Sequence, residues 1–303
     1  MTTSINMWGV TLEEEYEKNP ELKQEFIQEI REWLNSQKHL PEIEDLEIVM
    51  FLKACEWDMN ETKQTMEAFY THRTNLPEIF SGRDPSSKEI QEIAQVVHVT
   101  ALPQADPEGN RIIWGRLLDT DSSRYSFISV AKYFVMTSEV LQLKQGTIPG
   151  MVLVYDVKHL TLSHLMKSPM SVMTRYANYA QEGASFPVKA IHYVNTNTVL
   201  DKLIHLVRPI LRSRLINVLH LHSNPETLFK HIPKNIVPKD YGGDERSLEE
   251  LNDLNMENLQ LFREWFLEEE KVKRVDESKR PNKKKADKTE SKLLPTFKKL
   301  ELD

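Results

Sequence analysis

One cysteine, Cys55, stands in 303 residues. That excludes an internal disulfide framework and fits a reducing compartment. No run approaches the roughly 18 apolar residues that span a bilayer. The start, Met1 to Tyr16, turns acidic early and lacks the basic-then-apolar order of a signal peptide. The phosphate cradles G-x-x-x-x-G-K-[ST] and G-x-G-x-x-G are missing, as is the G-x-S-x-G elbow of serine hydrolases on an α/β sheet. There is no C-x-x-C and no H-E-x-x-H. Asp119 and Asp121 resemble a fragment of a calcium loop without its glycine and distal glutamate. Local spacing assembles no nucleophile, base and orienting partner. These absences weigh against catalysis without disproving it, and no catalytic residue, resident cofactor or metal is expected.

What is present reads as a soluble globular chain, 40% hydrophobic and 28% charged. A net charge of −7 argues against general nucleic-acid binding. The charge is uneven: Lys271 to Asp303 holds 12 Lys/Arg and 6 Asp/Glu, or +6, which leaves −13 on the rest. A cytoplasmic monomer that touches membrane surfaces transiently is expected.

The first third, residues 11–80, reads as a helical bundle. Pro20 suits a first helical position, and Leu22, Phe26, Ile30, Trp33 and Leu34 follow at helical spacing. Asp45 is expected to cap a second helix with Leu46, Val49, Met50 and Leu52 inward, and Asn60 a third with Met66, Phe69 and Tyr70 inward. Residues 86–243 alternate strands and helices, which implies an α/β domain with mostly parallel pairing. A short helix (87–97) leads to two turn-linked strands, 99–104 and 111–118. The helix 127–144 is apolar almost all round. Met151 to Val157 is a continuous β-branched run, as in a strand covered on both faces. A helix over 169–181 leads to a strand at 190–194. Residues 244–270 should form an amphipathic helix packing back on the domain. In the basic tail, 271–303, the stretch 275–292 is expected to be disordered, and 293–300 regains apolar residues able to dock.

The helix from Thr198 to about Arg208 has the most unusual pattern. At 100° per residue its apolar positions, Val199 to Ile210, cover about 160° of arc, against roughly 100° for an ordinary surface helix. It runs into Pro209 and a basic turn of Arg208, Arg212 and Arg214. Two readings stay open: a buried core helix, or a lid over an apolar cavity. His220 and His222, two apart in a strand, share a face. They are read as core or interface histidines before a metal pair, His192 as a structural hydrogen-bonding group, and Cys55 as a small buried residue.

Several segments resemble the CRAL-TRIO family in order and spacing, over about Glu42 to Gly243. They are the helical signature Val49-Met-Phe-Leu-Lys-Ala-Cys-Glu-Trp-Asp-Met59, with Cys55 where the family usually has arginine, and the "V-x-D" strand in Met151 to Val157. Ser185 to Asn195 and the closing Ile236-Val-Pro-Lys-Asp-Tyr-Gly-Gly243 complete the set. Within the family the chain is most similar to the tocopherol-transfer-like and retinaldehyde-binding members.

The resemblance implies a non-enzymatic carrier in which a small hydrophobic ligand lies between sheet and helices. The helix matching Val199 to Leu211 would then be a mobile gate that meets membranes. Candidate pocket residues are Phe134, Val135, Ser138 and Leu141, Val152 and Val154, Met173 and Ala177, and Leu203, Ile204 and Val207, each equally readable as plain core. Ser138 offers a polar anchor. The family's use of basic residues to hold phosphoinositide headgroups implies Lys189, Arg208, Arg212 and Arg214 as the partners of anionic lipids. Pro187 and Val218 stand where basic residues are common, so the site is weakened or displaced toward Arg212; the other reading is arginines solvated on a turn. Beside the carrier stand a phospholipid or phosphoinositide exchanger and a membrane-recruited scaffold without cargo. The sequence does not distinguish tocopherol, retinoid, carotenoid, sterol or phospholipid as cargo.

Overall fold

The computed structural model describes residues 7–281. The chain opens with four helices, α1 (Leu12–Lys18), α2 (Gln24–Ser36), α3 (Asp45–Ala54) and α4 (Met59–Asn75), followed by the short α5 (Pro77–Phe80) and α6 (Lys88–Ile93). The expected bundle forms, with shifted starts. Pro20 lies in the turn before α2, Glu44 caps α3 in a reciprocal capping box with Glu47, and Asp58 rather than Asn60 caps α4. Ile30, Ile48, Val49, Leu52, Met66 and Tyr70 form its core.

A five-stranded sheet follows in the spatial order β1 (Val97–Ala101), β2 (Arg111–Leu117), β3 (Met151–Asp156), β4 (Val188–Val194) and β5 (Leu219–His222). The β1–β2 pair is antiparallel and the others are parallel. The parallel strands are joined by α7 (Phe127–Gln145), by α8 (Leu162–Met166) with α9 (Met170–Glu182), and by α10 (Thr198–Val207) with α11 (Ser213–Ile216).

Side-chain alternation divides the sheet into two unlike faces. One carries Ile113, Leu153 and Ile191 against Tyr133, Met136, Val140 and Leu141 of α7. The other carries Ile112, Trp114, Val152, Val154 and Val194, and is covered by Leu228, Ile232, Ile236, Val237 and Tyr241 from the closing segment. That segment ends in Gly242, at φ +80°, and Gly243, where a Cβ would run into the Val237 carbonyl, so both glycines are sterically required.

The C-terminal part packs back as two helices, α12 (Leu248–Leu261) and α13 (Arg263–Val272), not one; the α-conformation lapses at Phe262. Asn252 and Asn255 of α12 bind the exposed edge of β1, accepting from Val99 N (3.1 Å) and donating to Val99 O (2.9 Å). This closes a sheet edge that would otherwise be free to pair. The expected disorder from Val275 onward does not begin there. Val275 is 7% exposed in the bundle core, and Arg280 is ion-paired with Glu67. The expectations for residues 282–303, including the docking stretch 293–300, lie outside the described residues.

A buried ionic cluster joins these parts. Arg73 of α4 donates to Glu139 of α7 (2.5 Å) and Glu269 of α13 (2.7 Å), and Arg83 bonds the second oxygen of each carboxylate. Burial and the neighbouring guanidiniums lower the Arg83 pKa to about 9, so it stays charged at neutral pH. Removing one member of such a buried pair leaves an uncompensated charge and costs about 3–5 kcal/mol. Glu269→Gln should therefore lower stability by about that amount, read as a reduced urea midpoint with an unchanged slope.

Candidate ligand cavity and gate

On the α7 face of the sheet, Leu153 and Tyr155 of β3 stand beside Ile191 and Tyr193 of β4. The Tyr155 ring lies 5.6 Å from that of Tyr193 and 6.3 Å from that of Phe134. Gly115 on β2, paired with Tyr155, makes room for that ring; a Cβ there would sit 3.0 Å from it. Tyr176 and Tyr179 of α9 stack at 6.1 Å.

These tyrosines combine two properties. Burial pushes the phenol of Tyr193 up to about 12 and those of Tyr155 and Tyr176 further, with Tyr176 and Tyr193 adding to the effect on Tyr155. Yet all three side chains keep accessible surface, being half-buried rather than buried. Their hydroxyls have no hydrogen-bond partner among the described residues and are not among the sealed polar atoms. These half-buried, unpaired phenols make the region between α7, α9 and the sheet the candidate ligand space.

The sequence candidates divide around this space. Phe134, Ser138 and Leu141 share one face of α7 by their i, i+4, i+7 spacing. Met173 and Ala177 of α9 are half-buried, as are Leu203, Ile204 and Val207 of α10. Val152 and Val154 are corrected: strand parity puts them on the opposite face, in the core closed by Ile232, Ile236 and Val237, and Leu153 and Tyr155 take their place. Val135 is also set apart, packed with Leu76, Ile79 and Phe80 under α5. The Ser138 hydroxyl donates to Val135 O (2.8 Å), so its proton is spent within its own helix. The phenols were missed because a tyrosine in an aliphatic strand reads as core. The available signal was parity, since Leu153/Tyr155 and Ile191/Tyr193 alternate in step.

Helix α10 is tethered at its ends. Asn197 accepts from Val199 N (3.0 Å) and Leu200 N (3.1 Å) while donating to Val157 O (2.8 Å). At the far end Gln181 donates to Ile210 O (3.3 Å) and accepts from Arg212 N (2.6 Å). Between these tethers only Leu200 is buried, and side chains 198–207 make no hydrogen bond or ion pair among the described residues. The chain enters α10 through Asn195, at φ +54°, whose amide donates to Asp156 Oδ1 (3.0 Å). Asp156 also accepts from Tyr241 Oη (2.7 Å), so the V-x-D aspartate pins both the entry to α10 and the closing phrase.

Past α10, Arg212 and Arg214 line a cleft of about 640 Å³ shared with α4, α9 and Pro187. Arg212 pairs with Glu182, and Arg214 stands 3.7 Å from Glu61. Lys189 and Arg208 are exposed and do not line this cleft. The four proposed basic residues therefore do not converge; two of them do.

On the other face of the sheet, His192, His220, His222 and His231 form a cluster with several ring centroids about 4.8–5.1 Å apart. His192 Nδ1 lies 2.9 Å from His222 Nε2, and His222 Nδ1 lies 2.6 Å from Thr227 Oγ1. Among the described residues no three His, Cys, Asp or Glu side chains are arranged to hold a metal ion. No described helix is long and apolar enough to cross a membrane.

A mixed five-stranded sheet layered by helices on one face, after an N-terminal set of helices, defines an α/β fold. A family model described as CRAL/TRIO domain matches residues 96–243, and one described as Pinta-like, UBA domain matches residues 19–90. Residues 96–243 thus carry a CRAL/TRIO domain, the domain of a family of lipid-binding and lipid-transfer proteins. It is 26% identical over 236 residues to the alpha-tocopherol transfer protein-like protein of Mus musculus, covering 76% of this chain and 68% of the relative. The Homo sapiens protein of that name is 25% identical over the same span. The crystal structure of Sfh5 shares the fold at a TM-score of 0.52 and 15% identity, covering 88% of this chain and 89% of the other.

The histidine cluster gives a signed prediction. Burial, chiefly, and the neighbouring histidines lower His192 to about 3 and lower His222 and His231 as well. Below the ordinary value of about 6.5 the unfolded chain takes up protons that the folded chain refuses, so stability falls as pH falls. Depressed carboxylates such as Asp84 act in the same direction only below about 4. The urea midpoint should therefore already drop between pH 7 and 5, and His192→Gln should shrink that drop.

Proposed function

We propose that this protein carries a small hydrophobic ligand of the tocopherol, retinoid or carotenoid kind in the space between α7, α9, α10 and the sheet, and exchanges it with membranes. The observation that carries the reading is the set of phenols, Tyr155, Tyr176 and Tyr193, which are desolvated, accessible and unpaired. A filled core leaves no such surface. At roughly 25 cal/mol per Å², hiding several hundred Å² of ligand stabilises the complex by several kcal/mol or more. Release then requires replacement contacts, and an apolar helix whose pocket contacts can be exchanged for bilayer contacts supplies them.

The end-tethered α10 supports a gating role. Beside its N-terminus, α8 exposes Leu162 (47%) and Met166 (86%), and exposed apolar side chains next to a gate suit contact with a bilayer. Arg212 and Arg214 are the proposed anionic-headgroup contacts, with Lys189 and Arg208 as outlying charges. Exposed ion pairs such as Arg212–Glu182 are worth about 0–1 kcal/mol, so a phosphate can displace the carboxylate. The name of these relatives, alpha-tocopherol transfer protein-like, fits this reading.

Two measurements test it. Native mass spectrometry of the purified protein should find one lipophile at near one-to-one ratio; an empty protein that also takes up no tocopherol, retinoid or phosphatidylinositol favours the scaffold. Arg212→Glu with Arg214→Glu should slow transfer to anionic vesicles several-fold while ligand affinity stays nearly unchanged. Equal transfer rates for both proteins would remove the arginines from the mechanism.

A further inference from the structure

A second cavity, of about 90 Å³, lies between the N-terminal bundle and the rest of the molecule, apart from the ligand space described above. Five aromatic residues line it: Trp8, Phe51, Phe69, Tyr70 and Trp265. Glu44, Glu47 and Glu268 stand in the same wall, together with Glu139 and Glu269 of the buried ionic cluster. At roughly 10–15 Å³ of such space per water-sized group, the cavity holds a body the size of a trimethylammonium group.

The charged and hydroxyl donors of this wall are already spent. Arg73 donates to Glu139 and Glu269, and its remaining Nε, though unpaired, is sealed from the cavity. Lys273 donates to Glu47 (2.5 Å) and to Glu42 O (2.7 Å). Tyr70 Oη donates to Glu47 (3.1 Å), and Gln142 and Ser185 bond each other. The Trp8 indole donates to Glu44 (2.9 Å). The rest of the lining is aromatic, the aliphatic or thioether side chains of Met50, Leu143 and Val272, and carboxylate. Glu139 and Glu269 are matched by Arg73, Arg83 and Arg274, Glu47 by Lys273 and Glu268 by the exposed Lys271, which leaves Glu44, bound by the neutral Trp8 indole, as the carboxylate of the wall without a cationic partner.

Such a wall repels anions and offers them little to bind. A neutral apolar guest would strip water from carboxylates without replacing it. An alkylated cation matches both components, with its charge toward the carboxylates and its methyl groups against the rings. We propose that this interdomain cavity binds an alkylated ammonium group of the choline type, either as a free small molecule or as a lipid headgroup. The site is independent of the lipophile cavity and of the gate.

The test is calorimetric titration of the full chain with tetramethylammonium and choline, with ammonium chloride and the neutral isostere 3,3-dimethylbutan-1-ol as controls. Saturable binding of the first two, at least tenfold weaker binding of both controls, and a tenfold loss in Trp8→Leu and in the exposed-side variant Glu268→Gln are expected. Equal binding of the isostere makes the cavity merely apolar, and equal binding of ammonium makes it merely acidic; either overturns the proposal. So does an absence of saturable binding, or affinity that both folded variants leave unchanged. Competition of choline by phosphatidylcholine vesicles, but not by phosphatidylglycerol vesicles, assigns the headgroup as the source. No competition by either assigns the free small molecule.

Discussion

Two carboxylates, Glu139 and Glu269, hold the architecture together by sharing two buried guanidiniums. Arg73 comes from the bundle, Arg83 from the loop after α5, Glu139 from the helix that roofs the sheet, and Glu269 from the C-terminal helix. Arg274 adds a third guanidinium, 3.1 Å from Glu269. An ionic cluster of this kind contributes little net stability compared with an apolar core of the same volume. Its value lies in geometry, because a bidentate guanidinium fixes direction as well as distance. Arg73 is further confined between the rings of Phe69 and Phe80, at 4.7 and 4.5 Å. The helical bundle is thereby locked to α7 at one orientation, and α7 forms one wall of the proposed ligand space.

That rigidity bears on the cavity. An enclosed apolar space forfeits dispersion contacts along its lining, and neighbouring residues tend to relax into it. Collapse is resisted where the surrounding elements are over-determined. Here α7 is fixed by the ionic cluster on one flank and by Tyr133 Oη donating to Asn252 (2.9 Å) on another. The sheet is fixed from its far face by the closing segment, which Gly242 and Gly243 allow to turn and pack. The least constrained wall is α10. It is tied through Asn197, Gln181 and the Asn195–Asp156 contact, and its apolar side chains join none of the buried clusters. A wall secured by polar contacts at its ends can swing without dismantling the core.

Much of this was legible in the sequence, and the misses have particular physical causes. The β-branched run at Met151 announced a doubly covered strand, and the wide apolar arc after Asn197 marked α10 as unlike its neighbours. The closing Tyr-Gly-Gly was visible as a motif, but its role as the cover of the second sheet face was not. Parity failed at Val152 and Val154. A strand apolar on both faces carries no periodic signal to say which face meets the ligand, and only its partners settle that. Phase failed at Val135, one residue from Phe134 yet about 100° around the helix. The disorder expected from Val275 overlooked one apolar side chain and one arginine that find partners in the bundle. The long-range ionic cluster joins residues up to 196 apart, a separation that no local pattern encodes.

The basic turn shows how composition and geometry have to be read together. By charge alone Lys189, Arg208, Arg212 and Arg214 look like one patch on a body of strongly negative formal charge. In space, Arg212 and Arg214 face a cleft whose opposite walls supply Glu182 and Glu61, while Lys189 and Arg208 lie outside it. Glu182 also takes His72 of α4 at 2.8 Å, so one carboxylate bridges the bundle and the turn that follows the gate. The Arg212–Glu182 pair is therefore one link between the turn after α10 and the bundle. Because Arg212 N is also held by Gln181, the two contacts act on the same turn. A few exposed ion pairs, individually weak, thus link the turn after α10 to α4 and α9.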